Sequence, residues 1–265
     1  MTERTDEIDC LRNPFPSDTH MVGIGLGGIA EGWIPPVLIM LQTGVLKLTH
    51  ALLCDGKKFC DRNRERQYFR QEGNKAQERR TIWSAVYPGL PLCSVPVFID
   101  SENVGKFVPD GAVVLLSPDN HPTRALLSRH LETLENGLLI AGGNDAINKE
   151  GGEDGSKGWA AVYCRVQGMN ITPPLMEYHS DILEAKEKMP GEMSCGELAQ
   201  AGEPQLLATN MFVGQMMAHY LYRYLTQPLH RAVGSVEAYV DSASGEVVHY
   251  GIGDRFSNTV FSQGR

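Results

Sequence analysis

The amino-acid sequence predicts an α/β protein built on a doubly wound, mostly parallel β-sheet. Short apolar segments that fit buried strands alternate along the chain with longer segments that have helical periodicity. A glycine-rich turn joins the first predicted strand to the first predicted helix. The 265 residues, of which 42% are hydrophobic and 28 are glycine, are enough to bury the core that such a sheet requires.

The first half of the chain contains the regular alternation of strands and helices. The run THMVGIGLGG predicts a strand and a turn, and IAEGWIPPVLIMLQ the helix that follows them. LTHALLCD predicts a second buried strand, and GNKAQERRTIWSAVY an amphipathic helix that ends before Pro88. LCSVPVFID, GAVVLLSPDN and GLLIAGG predict three further strands, with the helix HPTRALLSRHLETLEN between the last two. Strands and helices that alternate in this way form parallel sheets.

The second half is expected to add strands, a long helix and a β-hairpin to the same domain. We divide the chain into a leader (1–18), a first half (19–144), a mobile glycine-rich and charged loop (145–158) and a C-terminal half (159–265). After the strand AAVYCRVQG, the segment PQLLATNMFVGQMMAHYLYRYL predicts a long helix that is buried in a core or a subunit interface, because it is apolar nearly all round. SVEAYVDSASGEVVHYG alternates with period two around a Ser-Gly turn, which is typical of a hairpin.

Composition argues against several classes of protein. The net charge of -8 argues against broad, sequence-independent binding to nucleic acid or to an anionic membrane surface. MTERTDEIDC is too acidic for a signal peptide and WIPPVLIMLQTGVL is too short to span a bilayer, so we expect a cytoplasmic protein without a membrane partner. The six cysteines form no CxxC pair, and Cys54, Cys93 and Cys164 lie in apolar strands, as core thiols do.

A glycine fingerprint follows the first strand and opens the first helix. Gly23, Gly25 and Gly28 have the G-x-G-x-x-G spacing of Rossmann-like nucleotide-binding folds. Glycines at these places let backbone N–H groups approach a phosphate at the positive end of the helix dipole, unless they serve only close packing. Asp55 ends the second strand and supplies a carboxylate for two ribose hydroxyls, unless it only caps its loop.

Cationic and amide side chains come directly after Asp55 along the chain. They are Asn63, Arg66 and Gln67 in NRERQ, followed by Lys75. NAD needs no such cluster, whereas a reaction that cleaves a triphosphate must offset the charge that develops at phosphorus, so the cluster favours ATP. A solvated, charged helix start remains the alternative.

A third group of polar residues ends the strand in VVLLSPDN. Asp119 and Asn120 lie at the carboxyl end of this strand, the edge at which open α/β sheets bind ligands. A carboxylate at that edge can hold a hydrated Mg²⁺ against the phosphates of a nucleotide. The alternative is that both residues only cap the helix that follows.

In this order along the chain, the motifs resemble the ThiF/MoeB family of ubiquitin-activating-enzyme-like adenylyltransferases, in a divergent, stand-alone branch. The resemblance implies that Gly23, Gly25 and Gly28 line the phosphates and that Asp55 binds the ribose. It also implies that Asn63, Arg66, Gln67 and Lys75 surround the triphosphate, that Asn120 contributes to the nucleotide site and that Asp119 carries Mg²⁺.

The reaction that the resemblance implies is ATP-dependent adenylation of the C-terminal glycine carboxylate of a small ubiquitin-like or sulfur-carrier protein. This chemistry requires no general base, because the carboxylate is already ionised at neutral pH. Two features depart from the family pattern: Lys57 replaces a common second acid after Asp55, and the stretch between Gln67 and Lys75 is short.

Two residues outside the nucleotide motifs are further candidates. Cys195, in PGEMSCGELA, precedes a helix whose N-terminus would favour the thiolate, and it could carry a thioester or persulfide; an inert loop cysteine is the alternative. The family resemblance implies that Arg12, which matches by position only, reaches the triphosphate of the neighbouring subunit in the homodimer that we expect; a solvated leader arginine is the alternative. An NAD-dependent oxidoreductase and a catalytically inactive adaptor remain the alternative functions.

Overall fold

The structure, a computed structural model, describes residues 15, 19–48, 50–145, 147–148, 152–184, 187–193 and 205–257. The described strands are β1 (His20–Ile24), β2 (His50–Cys54), β3 (Lys58–Phe59), β4 (Gly73–Asn74), β5 (Leu92–Val95), β6 (Val113–Leu116), β7 (Gly137–Asn144), β8 (Ile147–Asn148), β9 (Glu153–Asp154), β10 (Lys157–Val166), β11 (Met169–Asn170), β12 (Glu237–Asp241) and β13 (Glu246–Tyr250). The described helices are α1 (Gly28–Gln42), α2 (Lys75–Val86), α3 (Val104–Phe107), α4 (His121–Glu132), α5 (Leu175–Tyr178), α6 (Asp181–Glu184), α7 (Leu207–Thr226), α8 (Leu229–Ala232) and α9 (Ile252–Ser257).

Over this part of the chain, one nine-stranded sheet organises the fold, with the strand order β13-β12-β10-β7-β6-β1-β2-β5 and with β11 paired to β10. The five strands from β7 to β5 are parallel. β10, β12 and β13 extend the sheet in antiparallel fashion. The predicted α/β class and the mostly parallel, doubly wound sheet are therefore confirmed.

The two faces of the sheet bury separate apolar layers, as the period-two alternation of a strand requires. In β6, Val113 and Leu115 face a layer that includes side chains of α1, α2 and α7, whereas Val114 and Leu116 face a layer that includes α3, α4 and α5. All four side chains are fully buried, so β6 reads as one continuous apolar run. No helix among the described residues has the length and apolar character needed to cross a membrane.

Helix α1 continues through Pro35 and Pro36 because the neighbouring helix replaces a lost hydrogen bond. Pro36 has no N–H to donate to the Gly32 carbonyl, and the Gln215 side chain of α7 donates to that oxygen instead, at 3.2 Å. The two helices approach closely here, since a Cβ atom on Gly214 would lie 2.6 Å from the Gly32 Cα atom. The long apolar helix predicted from the sequence is thus packed in the core, against α1.

Three local expectations need correction or comment. The strand expected over LCSVPVFID ends at Val95, because Pro96 has no N–H for the ladder of this edge strand. Cys93 lies on the same edge strand and is exposed, unlike the buried Cys54 and Cys164. The segment 145–158 was expected to be a loop, but it contains the short strand pair β8 and β9. The strand β10 also begins within it, at Lys157.

Candidate functional site

A cavity that opens to solvent lies at the carboxyl ends of β1, β2 and β6; its empty space, open solvent included, is about 740 Å³. From β1 the chain passes outward to β2 and β5 and then returns to β6 on the other side of β1. The cavity therefore lies at the topological switch point, where open α/β sheets bind ligands. Most of the predicted site residues line it; Gly23 and Asn63 do not, and Cys195 and Arg12 lie outside the described residues.

The glycine loop between β1 and α1 forms one wall of the cavity. Gly25 lines it and has a φ of +82°, and a Cβ atom at this position would lie 2.5 Å from the backbone nitrogen of Pro118. Gly28 also lines the cavity, and its missing side chain leaves room for Asn210 of α7. Gly23 is different, since it lies within β1 and a Cβ atom there would meet the Trp33 ring. The expected phosphate role of Gly23 is replaced by close packing of strand and helix.

Asp55 connects β2 to the glycine loop. One carboxylate oxygen accepts a hydrogen bond from the Leu26 backbone N–H at 2.8 Å, and the other accepts from the Lys57 N–H at 2.7 Å. Its side chain lines the cavity and is almost completely buried. A carboxylate has about four acceptor positions, so Asp55 can fix the loop and still accept from two hydroxyl groups of a ligand.

The segment that contains NRERQ brings two of its three predicted residues to the cavity. Arg66 and Gln67 line it. Asn63 instead shapes the turn, because its side-chain oxygen accepts from the Cys60 N–H at 3.2 Å and its carbonyl accepts from the N–H groups of Arg66 and Gln67. The expectation that Asn63 surrounds a triphosphate is therefore corrected to a positioning role for the residues after it.

A buried ion pair holds the same segment in place. Arg79 of α2 is fully buried and pairs with Glu31 of α1. Glu31 accepts from the Tyr68 N–H at 2.7 Å, and Arg79 donates to the Tyr68 carbonyl at 2.6 Å. Both backbone groups of Tyr68 are thus fixed directly after Arg66 and Gln67. Burial raises the pKa of Glu31, although the Arg79 charge and the Tyr68 hydrogen bond oppose this shift.

Lys75, the first residue of α2, places its own buried ammonium group at the cavity. The residue is 6% exposed and lines the cavity, and its Nζ atom lies 5.6 Å from the centre of the Phe59 ring. Burial lowers the pKa of Lys75, and the charges of Asp55 and Asp119 only partly offset this effect. An anionic ligand would compensate the unfavourable burial of this ammonium group.

Asp119 and Asn120 lie where β6 meets α4, and both line the cavity. Asn120 caps α4, since its side-chain oxygen accepts from the Thr123 N–H at 3.0 Å. Asp119 is held by Lys57, whose Nζ atom lies 2.8 Å from Oδ1 and 2.7 Å from Oδ2. Desolvation opposes ionisation of Asp119, but the charge and hydrogen bond of Lys57 outweigh it and keep the pKa of this carboxyl below its usual value.

The described residues do not fit a Mg²⁺ ion held by the protein. Mg²⁺ requires oxygen ligands at about 2.0–2.1 Å in octahedral geometry. Both oxygens of Asp119 already accept from the Lys57 ammonium. Within the described ranges, no group of three or more His, Cys, Asp or Glu side chains could hold a metal ion, so a Mg²⁺ on Asp119 would depend on water and nucleotide oxygens for most of its ligands. The prediction of an Asp119-bound Mg²⁺ therefore has no support in this arrangement.

Sequence reasoning missed the apolar side of the cavity. Val97, Phe98 and Ile99 line it directly after β5, and a Cβ atom on Gly56 would lie 2.6 Å from the Phe98 ring. The sequence predicts that the strand continues over LCSVPVFID, so it gives no indication that these three side chains belong to a site. The signal that could have identified them is Pro96, because a proline at this position ends the edge strand and residues 97–99 then form a loop.

Solved structures with the same fold include one enzyme, MccB, that was crystallised with ATP. E. coli MccB with ATP superposes with a TM-score of 0.59 at 13% identity, over 95% of this chain and 66% of that one. The microcin C7 biosynthetic enzyme MccB in complex with N-formylated MccA gives 0.57 at 13% identity, over 98% and 69%. PaaA gives 0.58 at 12% identity, over 94% and 66%.

These similarities concern the fold alone, because the sequence identities are so low. No family model matches the sequence, and no curated protein matches it. The chain spans about two thirds of the length of the MccB and PaaA chains with which it superposes. The α/β fold of this protein is therefore the Rossmann-like fold that MccB and PaaA share.

Proposed function

We propose that this protein is an ATP-dependent adenylyltransferase that activates the C-terminal glycine carboxylate of a small ubiquitin-like or sulfur-carrier protein. The observation that carries the proposal is the convergence of Arg66, Gln67 and Lys75 with Asp55 and the glycine loop around one cavity. Solved structures of the same fold lend support, since MccB has been crystallised with ATP and with MccA.

Each side of the cavity suits one part of ATP. The apolar residues after β5 suit the adenine base, Asp55 suits the ribose hydroxyls, and the N–H groups of the glycine loop suit the phosphates at the start of α1. Arg66 and Lys75 add two cations on the phosphate side. A dinucleotide such as NAD would leave both cations without an assigned role, because backbone N–H groups are enough for its pyrophosphate.

In the proposed reaction, an oxygen of the substrate carboxylate forms a bond to the α-phosphorus of ATP. The bond from that phosphorus to its bridging oxygen breaks, and pyrophosphate leaves. No side chain has to remove a proton, so the work of the site is to hold two anions together and to offset their charge. Arg66 presents a planar fork for two phosphate oxygens and Lys75 a point charge. Cys195, the proposed acceptor of the acyl group in a second step, lies outside the described residues.

ATP:pyrophosphate exchange in the presence of candidate partner proteins that end in glycine tests the proposal. Arg66→Ala is expected to lower the exchange rate by about 10²–10³, the usual effect of losing one donor that stabilises transition-state charge. Arg64→Ala is the matched control, because it also removes one arginine charge. Arg64 lies two residues before Arg66, and its side chain is exposed and does not line the cavity. Equal rates for both variants would contradict the proposal.

A further inference from the structure

We propose that the Lys57 ammonium group takes the place of a protein-held metal ion, so that this site binds ATP without one. The inference rests on the proposed nucleotide site and identifies how that site balances its charge. It concerns Lys57, which replaces the second acid that the sequence resemblance leads one to expect after Asp55, and its ion pair with Asp119.

The position of Lys57 is fixed from both ends. Its backbone N–H donates to Asp55 at 2.7 Å, and its carbonyl accepts from the Lys75 N–H at 3.0 Å. Its Nζ atom lies 2.7 and 2.8 Å from the two oxygens of Asp119. Lys57 follows β2 and Asp119 follows β6, and β1 runs between these two strands, so the ion pair spans the carboxyl end of β1 where the glycine loop begins.

Charge balance in the cavity favours this role for Lys57. Among the described residues, the charged side chains that line the cavity are the three cations Lys57, Arg66 and Lys75 and the two carboxylates Asp55 and Asp119. With Lys57 the cavity attracts the phosphates of a nucleotide, whereas an acid at this position would give three carboxylates against two cations. A cavity with an acid at position 57 needs a divalent cation before it can accept a triphosphate. The cavity with Lys57 does not.

The geometry also works against a metal ion on Asp119. A Mg²⁺ ligated by either oxygen of Asp119 would lie close to the Lys57 ammonium, and the two cations would repel each other. Lys57 would have to leave, although its side chain is only 22% exposed and its backbone is fixed on both sides.

The test is the affinity for ATP, measured by calorimetry in excess EDTA and in excess Mg²⁺. For the wild type we expect dissociation constants within about threefold of each other, a difference that corresponds to well under 1.4 kcal/mol. Lys57→Asp is expected to weaken binding in EDTA by roughly ten- to a hundredfold, as for the loss of a charged hydrogen-bond partner, and to recover affinity in Mg²⁺. Lys58→Asp is the matched control, since Lys58 is exposed and does not line the cavity.

A second variant keeps the inference open to refutation if Lys57→Asp does not fold. Asp119→Asn removes the carboxylate charge with little change in shape. If Asp119 only holds Lys57, the substitution changes ATP affinity by the same factor in EDTA and in Mg²⁺. If Asp119 binds a metal ion, the change in affinity appears only in Mg²⁺.

The two failures are distinguishable. Binding of ATP by the wild type only in Mg²⁺ would overturn the inference about Lys57 and leave the proposed function intact. Absence of ATP binding in both buffers would overturn the nucleotide site itself, and the inference with it.

Discussion

Replacing Arg79 with methionine should destabilise the protein strongly, because it removes one partner of a buried ion pair. The Arg79 side chain is 1% exposed and the Glu31 side chain 14%. Arg79 also donates to the Tyr68 carbonyl at 2.6 Å, and its guanidinium lies 5.0 Å from the centre of the Phe59 ring. Leaving a buried carboxylate without its cation costs about 3–5 kcal/mol. In a chain of this size, that corresponds to a fall of about 6–20 °C in Tm.

The assay is urea denaturation of a set of four variants beside the wild type. Arg79→Met alone is expected to show the full loss of unfolding free energy. Glu31→Gln alone leaves a buried guanidinium without its anion. The double variant should recover part of the lost free energy, because it buries no unpaired charge. Arg80→Met is the matched control on the same helix; Arg80 donates to the Leu92 carbonyl at 3.1 Å and its side chain is exposed, so about 1 kcal/mol is expected.

The loss caused by Arg79→Met should also depend on pH. Without the arginine, the pKa of Glu31 rises further above its unfolded value, so the folded state binds a proton that the unfolded state releases as the pH increases. The destabilisation is therefore smallest below the carboxyl range and grows towards neutral pH. A loss below about 1 kcal/mol at neutral pH, or a double variant no more stable than Arg79→Met, would refute the reasoning.

Two further predictions concern burial near the site and in the core. Lys75→Met should stabilise the ligand-free protein at neutral pH while weakening ATP binding. The gain in Tm should shrink as the pH rises from the lowered pKa of folded Lys75 towards the ordinary lysine value, because the wild type regains stability over that pH range. Thermal unfolding at several pH values measures this trend. A gain in Tm that does not change with pH would contradict it. Gly214→Ala should cost about 1–3 kcal/mol or more in chemical denaturation, since the new Cβ atom would lie 2.6 Å from the Gly32 Cα atom. Gly89→Ala, which meets no atom within 4 Å, should stay within about 0.5 kcal/mol, and similar losses for the two variants would argue against the helix contact.

The parts of the fold that depend on local sequence could be predicted. The first strand, the glycine turn and the first helix follow from residues adjacent in the chain, and the helix that begins at Lys75 follows from its periodicity. Asp55 and Asp119 were placed at the cavity because each directly follows an apolar strand, and parallel strands bring their carboxyl ends to one edge.

The parts that depend on distant contacts could not be predicted. Lys57 and Asp119 are 62 positions apart, and their ion pair exists because β2 and β6 lie on either side of β1. The sequence showed Lys57 only as a departure from a motif. Arg79 lies in an amphipathic helix whose charged residues are expected to face solvent, and its burial follows from the position of Glu31 on another helix. Neither pairing has a signal in local periodicity.

The claim that the cavity binds ATP through Arg66 and Lys75 is tested most directly by titrating the wild-type protein with ATP and with NAD. We predict that ATP binds more tightly than NAD, and that Arg66→Ala weakens ATP binding by roughly ten- to a hundredfold while Arg64→Ala leaves it unchanged. Equal affinity for the two nucleotides, or equal effects of the two arginine variants, would contradict the account.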